Sequence, residues 1–329
     1  MAEDLPAMIC RWDRDSSTDI EFPRLLEIIQ YLDQRLFSEY TPTQGPHITF
    51  QQRLSAWLSD APNDKSRQTM FQLVSHLFFI GREAYISLYR EAYRSPITRW
   101  IIDSADIDLC DPVINTKIAQ AMNETWFCPI SDSMQISEFY HANRISGVHF
   151  RPVWLSLAKF GDRAKLTSYT QKKFKRVVLL EDFVAAGGQM QPALNLAAEL
   201  PKDIEFLLVP LVICPKGADS IEDFVKRNPA NFTFSPVLRL PPRAFVAETP
   251  VDGESPFFEA VRQLVQDIYL QVSGGKPPDD NTKPYGPFGW KRTGALVVMY
   301  TNTPDNTLPI IHWTSNTWRS PLFPRSSRE

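Results

Sequence analysis

Two adjacent carboxylates, Glu181 and Asp182, follow four consecutive apolar residues in the stretch RVVLLEDFVAAGGQM, Arg176 to Met190. After them comes a run with almost no side chains, Ala185, Ala186, Gly187 and Gly188, closed by Gln189. Carboxylates at the end of a buried strand need partners, and sugar hydroxyls or a hard cation such as magnesium supply them. A run without side chains lets backbone N–H groups close around an anion. A helix beginning near Gln189 would aim its positive end at the same place, worth about 0.3–2 kcal/mol to a phosphate. The pattern therefore suits a sugar and a phosphate side by side. The familiar phosphate motifs do not fit: there is no GxGxxG, and SGGKPP fails the P-loop pattern after Lys276.

The elements that would hold these residues follow from apolar spacing. Val177 to Leu180 read as a strand buried on both faces and ended by the two acids. Upstream, ETWFCPI (124–130) reads as a strand and SEFYHANRI (137–145) as a helix. Downstream, QMQPALNLAAEL (189–200) reads as a helix with Pro192 in its first turn, and IEFLLVPLVIC (204–214) as a strand. Pro210 within it argues for an edge, a bulge or an early stop. PFFEAVRQLVQDIYLQV (256–272) reads as an amphipathic helix, SGGKPPDDNTKPYGPFG (273–289) as a linker, and GALVVMY (294–300) as a last strand. Strands alternating with helices imply an α/β fold with a mostly parallel sheet. Ligands of such sheets sit at the carboxyl ends of strands, which selects the loops after Ile130, Leu180 and Tyr300.

Residues 21–103 read as helical. Leu25, Ile28, Ile29, Leu32 and Leu36 share one helical face, and 69–93 is apolar at so many positions that it predicts a buried helix, broken near Gly81. The expected division is a helical region over 1–105 and an α/β domain over 106–329.

Composition narrows the classes. The chain has 329 residues, 43% of them apolar, and a net charge of -3, which gives no global case for nucleic acid. Cys10, Cys110, Cys128 and Cys214 lie far apart without a CxxC pair, arguing against zinc or a disulfide framework and for a cytoplasmic setting. The start is acidic and lacks a signal-peptide core, and the longest apolar run, Phe206 to Cys214, is too short to span a membrane.

The layout LLEDFVAAGGQ resembles the phosphoribosyl-pyrophosphate motif of type I phosphoribosyltransferases. The resemblance implies that Glu181 and Asp182 hold the ribose hydroxyls, with magnesium nearby, and that Ala185 to Gln189 hold the 5′-phosphate. The family usually carries threonines where Ala185 and Gly188 stand, so here the amides would do that work. The upstream loop SDSM, about fifty residues earlier, takes the place of the pyrophosphate loop by position, through Ser131, Asp132 and Ser133. With YTNTPDNTLPIIHW and WRSPLFPR near the C-terminus, the chain looks like a narrower group: phosphoribosyltransferase-like effectors of bacterial conflict and anti-phage systems, retrons included. That resemblance implies a ribose 5-phosphate ligand and other defence components as partners. It leaves open an active transferase, a nucleotide-hydrolysing variant, or a silent module that senses or scaffolds.

Other candidates carry two readings each. The basic stretch 151–176 holds Arg151, Lys159, Arg163, Lys165, Lys172, Lys173, Lys175 and Arg176. It suits a flap over a diphosphate, or a solvated loop that touches a nucleic-acid component. Asn302, Asp305 and Asn306 follow the last strand and suit either a site rim or plain turns. His312 in PIIHW reads as a packed histidine, His141 as structural, and His47 and His76 carry no motif. Trp318, Leu322 and Phe323 read as anchors of the terminal segment.

Overall fold

The computed structural model describes residues 4–15, 20–42, 48–145, 153–159, 164–168, 174–188, 190–279 and 285–326. His47, Arg151, Arg163, Lys172, Lys173 and Gln189 lie outside them. The strands are β1 (Phe78–Ile80), β2 (Thr125–Pro129), β3 (Arg176–Val184), β4 (Glu205–Ile213), β5 (Phe232–Phe234), β6 (Leu238–Arg239), β7 (Tyr285–Gly286), β8 (Gly289–Trp290) and β9 (Val297–Met299).

The contacts divide the chain into two compact units, Glu83–Pro241 and the pair of segments Met1–Arg82 and Pro242–Glu329. This differs from a boundary at residue 105. The reason lies in strand pairing: β1 forms a parallel pair with β9, Phe78 opposite Val297, which makes one unit from two distant parts of the sequence.

In the unit Glu83–Pro241, β2, β3, β4 and β5 form a parallel sheet in that order, and β6 also pairs with β4. This is the expected α/β architecture. One sheet face packs Trp126, Cys128, Val177, Leu179, Phe206 and Leu208 with Leu194 and Ala197 of the helix Gln191–Glu199 and Ile221 of the helix Pro215–Arg227. The other includes Phe127, which lies against Phe139 of the helix Ile136–Asn143 at 6.0 Å between ring centroids. Burial on both faces explains the unbroken apolar run of β3.

Two readings of this sheet are corrected. First, β3 does not stop at the acids. It runs on to Val184, because Phe183 and Val184 keep pairing with Val212 and Ile213. Second, Pro210 sits inside a central strand of full length. Its carbonyl accepts from Val237 N at 2.9 Å, so its missing N–H also faces that side, in the break between β5 and β6 where no ladder bond is lost.

In the other unit, helices Leu5–Asp15, Phe22–Arg35, Phe50–Ser59 and Asp64–Leu73 form the expected helical region. The buried stretch 69–93 is broken before Gly81, as expected, and the break holds a strand: Asp64–Leu73 ends, β1 follows, and Arg82–Ala92 begins anew. GALVVMY does hold a strand, β9, but it pairs with β1 and not with the larger sheet. Part of the expected linker forms the β7–β8 hairpin. Trp318, Leu322 and Phe323 are fully buried, as anchors should be. Phe323 meets the rings of Phe37, Tyr40, Phe50 and Phe79 at 5.3, 5.1, 5.7 and 5.9 Å.

Candidate functional site

The carboxyl ends of β2 and β3 lie side by side. Pro129 is in register with Leu180, and Ile130 N donates to Leu180 O at 2.8 Å, so the loop after β2 leaves the sheet next to Glu181. Glu181 and Asp182 are buried, with 3% and 5% of their surface exposed, and a carboxylate so placed must be met by donors. Glu181 is met twice by one residue: Ser131 N donates to its Oε2 at 2.9 Å and Ser131 Oγ to its Oε1 at 2.6 Å. Asp182 Oδ1 accepts from Ser133 Oγ at 3.0 Å and from Phe183 N at 2.8 Å. The two serine hydroxyls are 2.6 Å apart, so one chain of contacts runs from Glu181 to Asp182. Asp132 stands exposed between them. The structure thus brings together two groups of residues that the sequence separates by some fifty positions.

After β3 the chain turns through Ala185 to Gly188 and enters the helix Gln191–Glu199. Gly187 takes φ +72°, the left-handed region that favours glycine. A side chain there would also meet Ser220 Cβ and Oγ at 3.0 Å. Gly217 brings the helix Pro215–Arg227 so near that an added Cβ would lie 2.9 Å from Ala185 O and from Val184 Cγ1. Among the described residues, the amides of Ala186, Gly187 and Gly188 donate to no protein acceptor. The turn is held by packing and its donors are left over, as an anion cradle requires. Sequence reading missed Gly217 and Ser220; a Pro-Lys-Gly start to an amphipathic helix was the available signal.

Other predicted residues fall elsewhere. Asn302, Asp305 and Asn306 belong to the second compact unit. Asn302 Oδ1 accepts from Thr303 N at 2.9 Å and Ser326 N at 3.1 Å, and Asn306 Nδ2 donates to Trp290 O and Thr293 Oγ1, both at 3.0 Å. Asp305 pairs with Arg325 at 3.3 Å. These groups tie turns and the terminal segment. Arg176 is corrected out of the basic flap: it is buried, and it donates to Ser104. Lys175 pairs with Glu124 at 3.2 Å. His312 is buried with Nε2 3.1 Å from Thr307 O, a packed histidine as expected, and burial lowers its pKa to about 3.

Among the described residues no three His, Cys, Asp or Glu side chains converge, and the carboxylates that a magnesium ion would share with substrate oxygens and waters are Glu181 and Asp182.

A parallel sheet with a side-chain-free turn and paired carboxylates at its carboxyl edge defines an α/β protein whose candidate ligand site lies at the strand ends. The PRTase-CE family model matches residues 54–325, most of the chain, and the chain belongs to this family of phosphoribosyltransferase-like conflict-system effectors. No curated protein and no solved structure matches it.

Proposed function

We propose that the chain binds a ribose 5-phosphate compound, phosphoribosyl pyrophosphate or a nucleotide, at the ends of β2 and β3, and exchanges or releases the group on the sugar C1 as an effector of an anti-phage system such as a retron. The observation that carries this reading is the meeting of Ser131 and Ser133 with Glu181 and Asp182, beside the unengaged amides of Ala186 to Gly188. The amides hold the 5′-phosphate, and the carboxylates accept from the ribose hydroxyls. In transfer, a base nitrogen forms its bond to C1 as the C1–O bond breaks, and the electron pair leaves with pyrophosphate. In release from a nucleotide, a water oxygen forms its bond to C1 as the C1–N bond breaks; the electron pair leaves with the base, which takes up the proton that the water loses. The protein contributes position and electrostatics, and no side-chain nucleophile is needed.

A second reading has its own observation. Ala185 and Gly188 stand where the family usually carries threonine hydroxyls, which suits a module that senses a ligand rather than turning it over. Calorimetry with phosphoribosyl pyrophosphate, with and without magnesium, on wild type and Asp182→Asn tests both. Binding that the variant loses supports the site, and absence of binding by wild type to any ribose 5-phosphate compound sinks it. Binding without pyrophosphate release across a panel of bases selects the sensor.

A further inference from the structure

Ala185, Ala186, Gly187 and Gly188 give the turn after β3 no side-chain donor of its own. A phosphate monoester offers three strongly accepting oxygens, more than the amides of Ala186 to Gly188 can fill. A side-chain hydroxyl lies against this turn from outside it: Ser220 Oγ is 3.0 Å from the place a Cβ on Gly187 would take. Two glycines bring it there. Gly217 lets the helix Pro215–Arg227 approach until an added Cβ would lie 2.9 Å from Ala185 O, and Ser220, three residues further along the same helical face, then meets Gly187. A serine or threonine inside a helix often donates back to the carbonyl four residues earlier. Ser59, Thr69 and Ser87 do so, to Ser55, Lys65 and Glu83. Ser220 does not, and among the described residues its half-buried hydroxyl has no hydrogen-bond partner.

We infer that Ser220 is a specificity-determining residue for the phosphorylated sugar: its hydroxyl donates to the 5′-phosphate that the amides of Ala186 to Gly188 hold. The inference rests on the reading of that turn as a phosphate cradle. It makes the cradle from two elements, the turn after β3 and the helix after β4. The pairing of Val184 with Ile213, at the ends of those two strands, sets how near they stand. A hydroxyl donates one proton to a charged acceptor and adds no charge of its own, so it favours the phosphate ester over the bare sugar alcohol without drawing in other anions from a distance.

Calorimetry with ribose 5-phosphate, and with ribose in competition against it, tests this on wild type, Ser220→Ala and Ser220→Thr, beside urea unfolding of each. Ser220→Ala keeps the Cβ that packs on Gly187 and should leave the unfolding midpoint in place. Its affinity for ribose 5-phosphate should fall about tenfold, as for the loss of one hydrogen bond to a charged acceptor, while that for ribose stays level. Ser220→Thr keeps the hydroxyl and should keep the wild-type preference for the phosphorylated sugar. Unchanged affinity for ribose 5-phosphate in Ser220→Ala, an equal fall for both probes, or loss of the preference in Ser220→Thr overturns the role of Ser220 and leaves the ligand site standing. No binding of ribose 5-phosphate by wild type overturns the cradle itself, and the part of Ser220 with it.

Discussion

Arg176 reaches across to Ser104 with two arms: Nε donates to its hydroxyl at 2.7 Å and Nη2 to its carbonyl at 3.2 Å. The pair ties the start of β3 to the last residue of the helix Thr98–Ser104, and Glu124 adds charge at 3.8 Å. Arg176→Ala should lower stability by about 2–4 kcal/mol, since two hydrogen bonds to a buried guanidinium go and a void remains. Arg176→Lys should recover only part, because an ammonium cannot repeat the fork. Urea unfolding reads both. Affinity for phosphoribosyl pyrophosphate, measured on folded protein, should not change; a fall in affinity without loss of stability would restore the flap role.

The second expectation concerns the turn after β3. Gly187→Ala meets two penalties, the left-handed backbone and the contact with Ser220, and should cost about 1–3 kcal/mol. Ser220→Gly should relieve the contact and leave the backbone cost. A double-mutant cycle in urea separates the two. Additivity across the cycle would mean that Ser220 does not press on the turn.

The terminal segment gives a third. Phe323 lies among four aromatic rings, and Arg53 Nε holds the neighbouring Leu322 O at 3.0 Å. Phe323→Ala should cost about 3–5 kcal/mol, whereas Phe323→Leu should cost less than about 1.5 kcal/mol because it keeps most of the volume. Thermal unfolding of the two variants checks the order. Equal shifts would show that the ring cluster is not what holds the segment.

His312 supplies a pH dependence. Burial, with Arg325 adding to it, lowers its pKa from the usual 6.5 to about 3. Above pH 6.5 both folded and unfolded forms hold it neutral and its contribution is complete. Below that the unfolded chain takes up a proton that the folded one refuses, so stability falls as pH drops from about 6.5 toward about 3. Between pH 7 and 4.5 the loss from this group should be about 2–3 kcal/mol. His312→Gln, which keeps a donor for Thr307 O, should flatten the slope of the urea midpoint over that window. An unchanged slope would assign the pH dependence to other groups.

Much of the site was legible in the chain because its signals are local. Four apolar residues before Glu181 announce a doubly buried strand, and the Ala-Ala-Gly-Gly run announces a turn with open amides. Both stand in the structure. The signals failed where a partner decided the outcome. Pro210 argues for an edge until β5 and β6 are seen to leave a break beside it. Val297 to Met299 read as one more strand of the main sheet until Phe78 to Ile80 are found to claim them. Arg176 reads as one more cation of a basic stretch until Ser104 is found against it.

The sequence by itself determined the elements and the chemistry: a parallel α/β sheet, two acids, a turn rich in free donors, and anchors near the C-terminus. Periodicity and residue type are properties of neighbours along the chain, so they can be read there. Only the tertiary structure decided which strands pair, that the two ends of the chain share one compact unit, and that both oxygens of Glu181 accept from Ser131. Those are contacts between residues fifty to more than two hundred positions apart, chosen by burial and by the need of each buried polar group for a partner, and no local pattern records them.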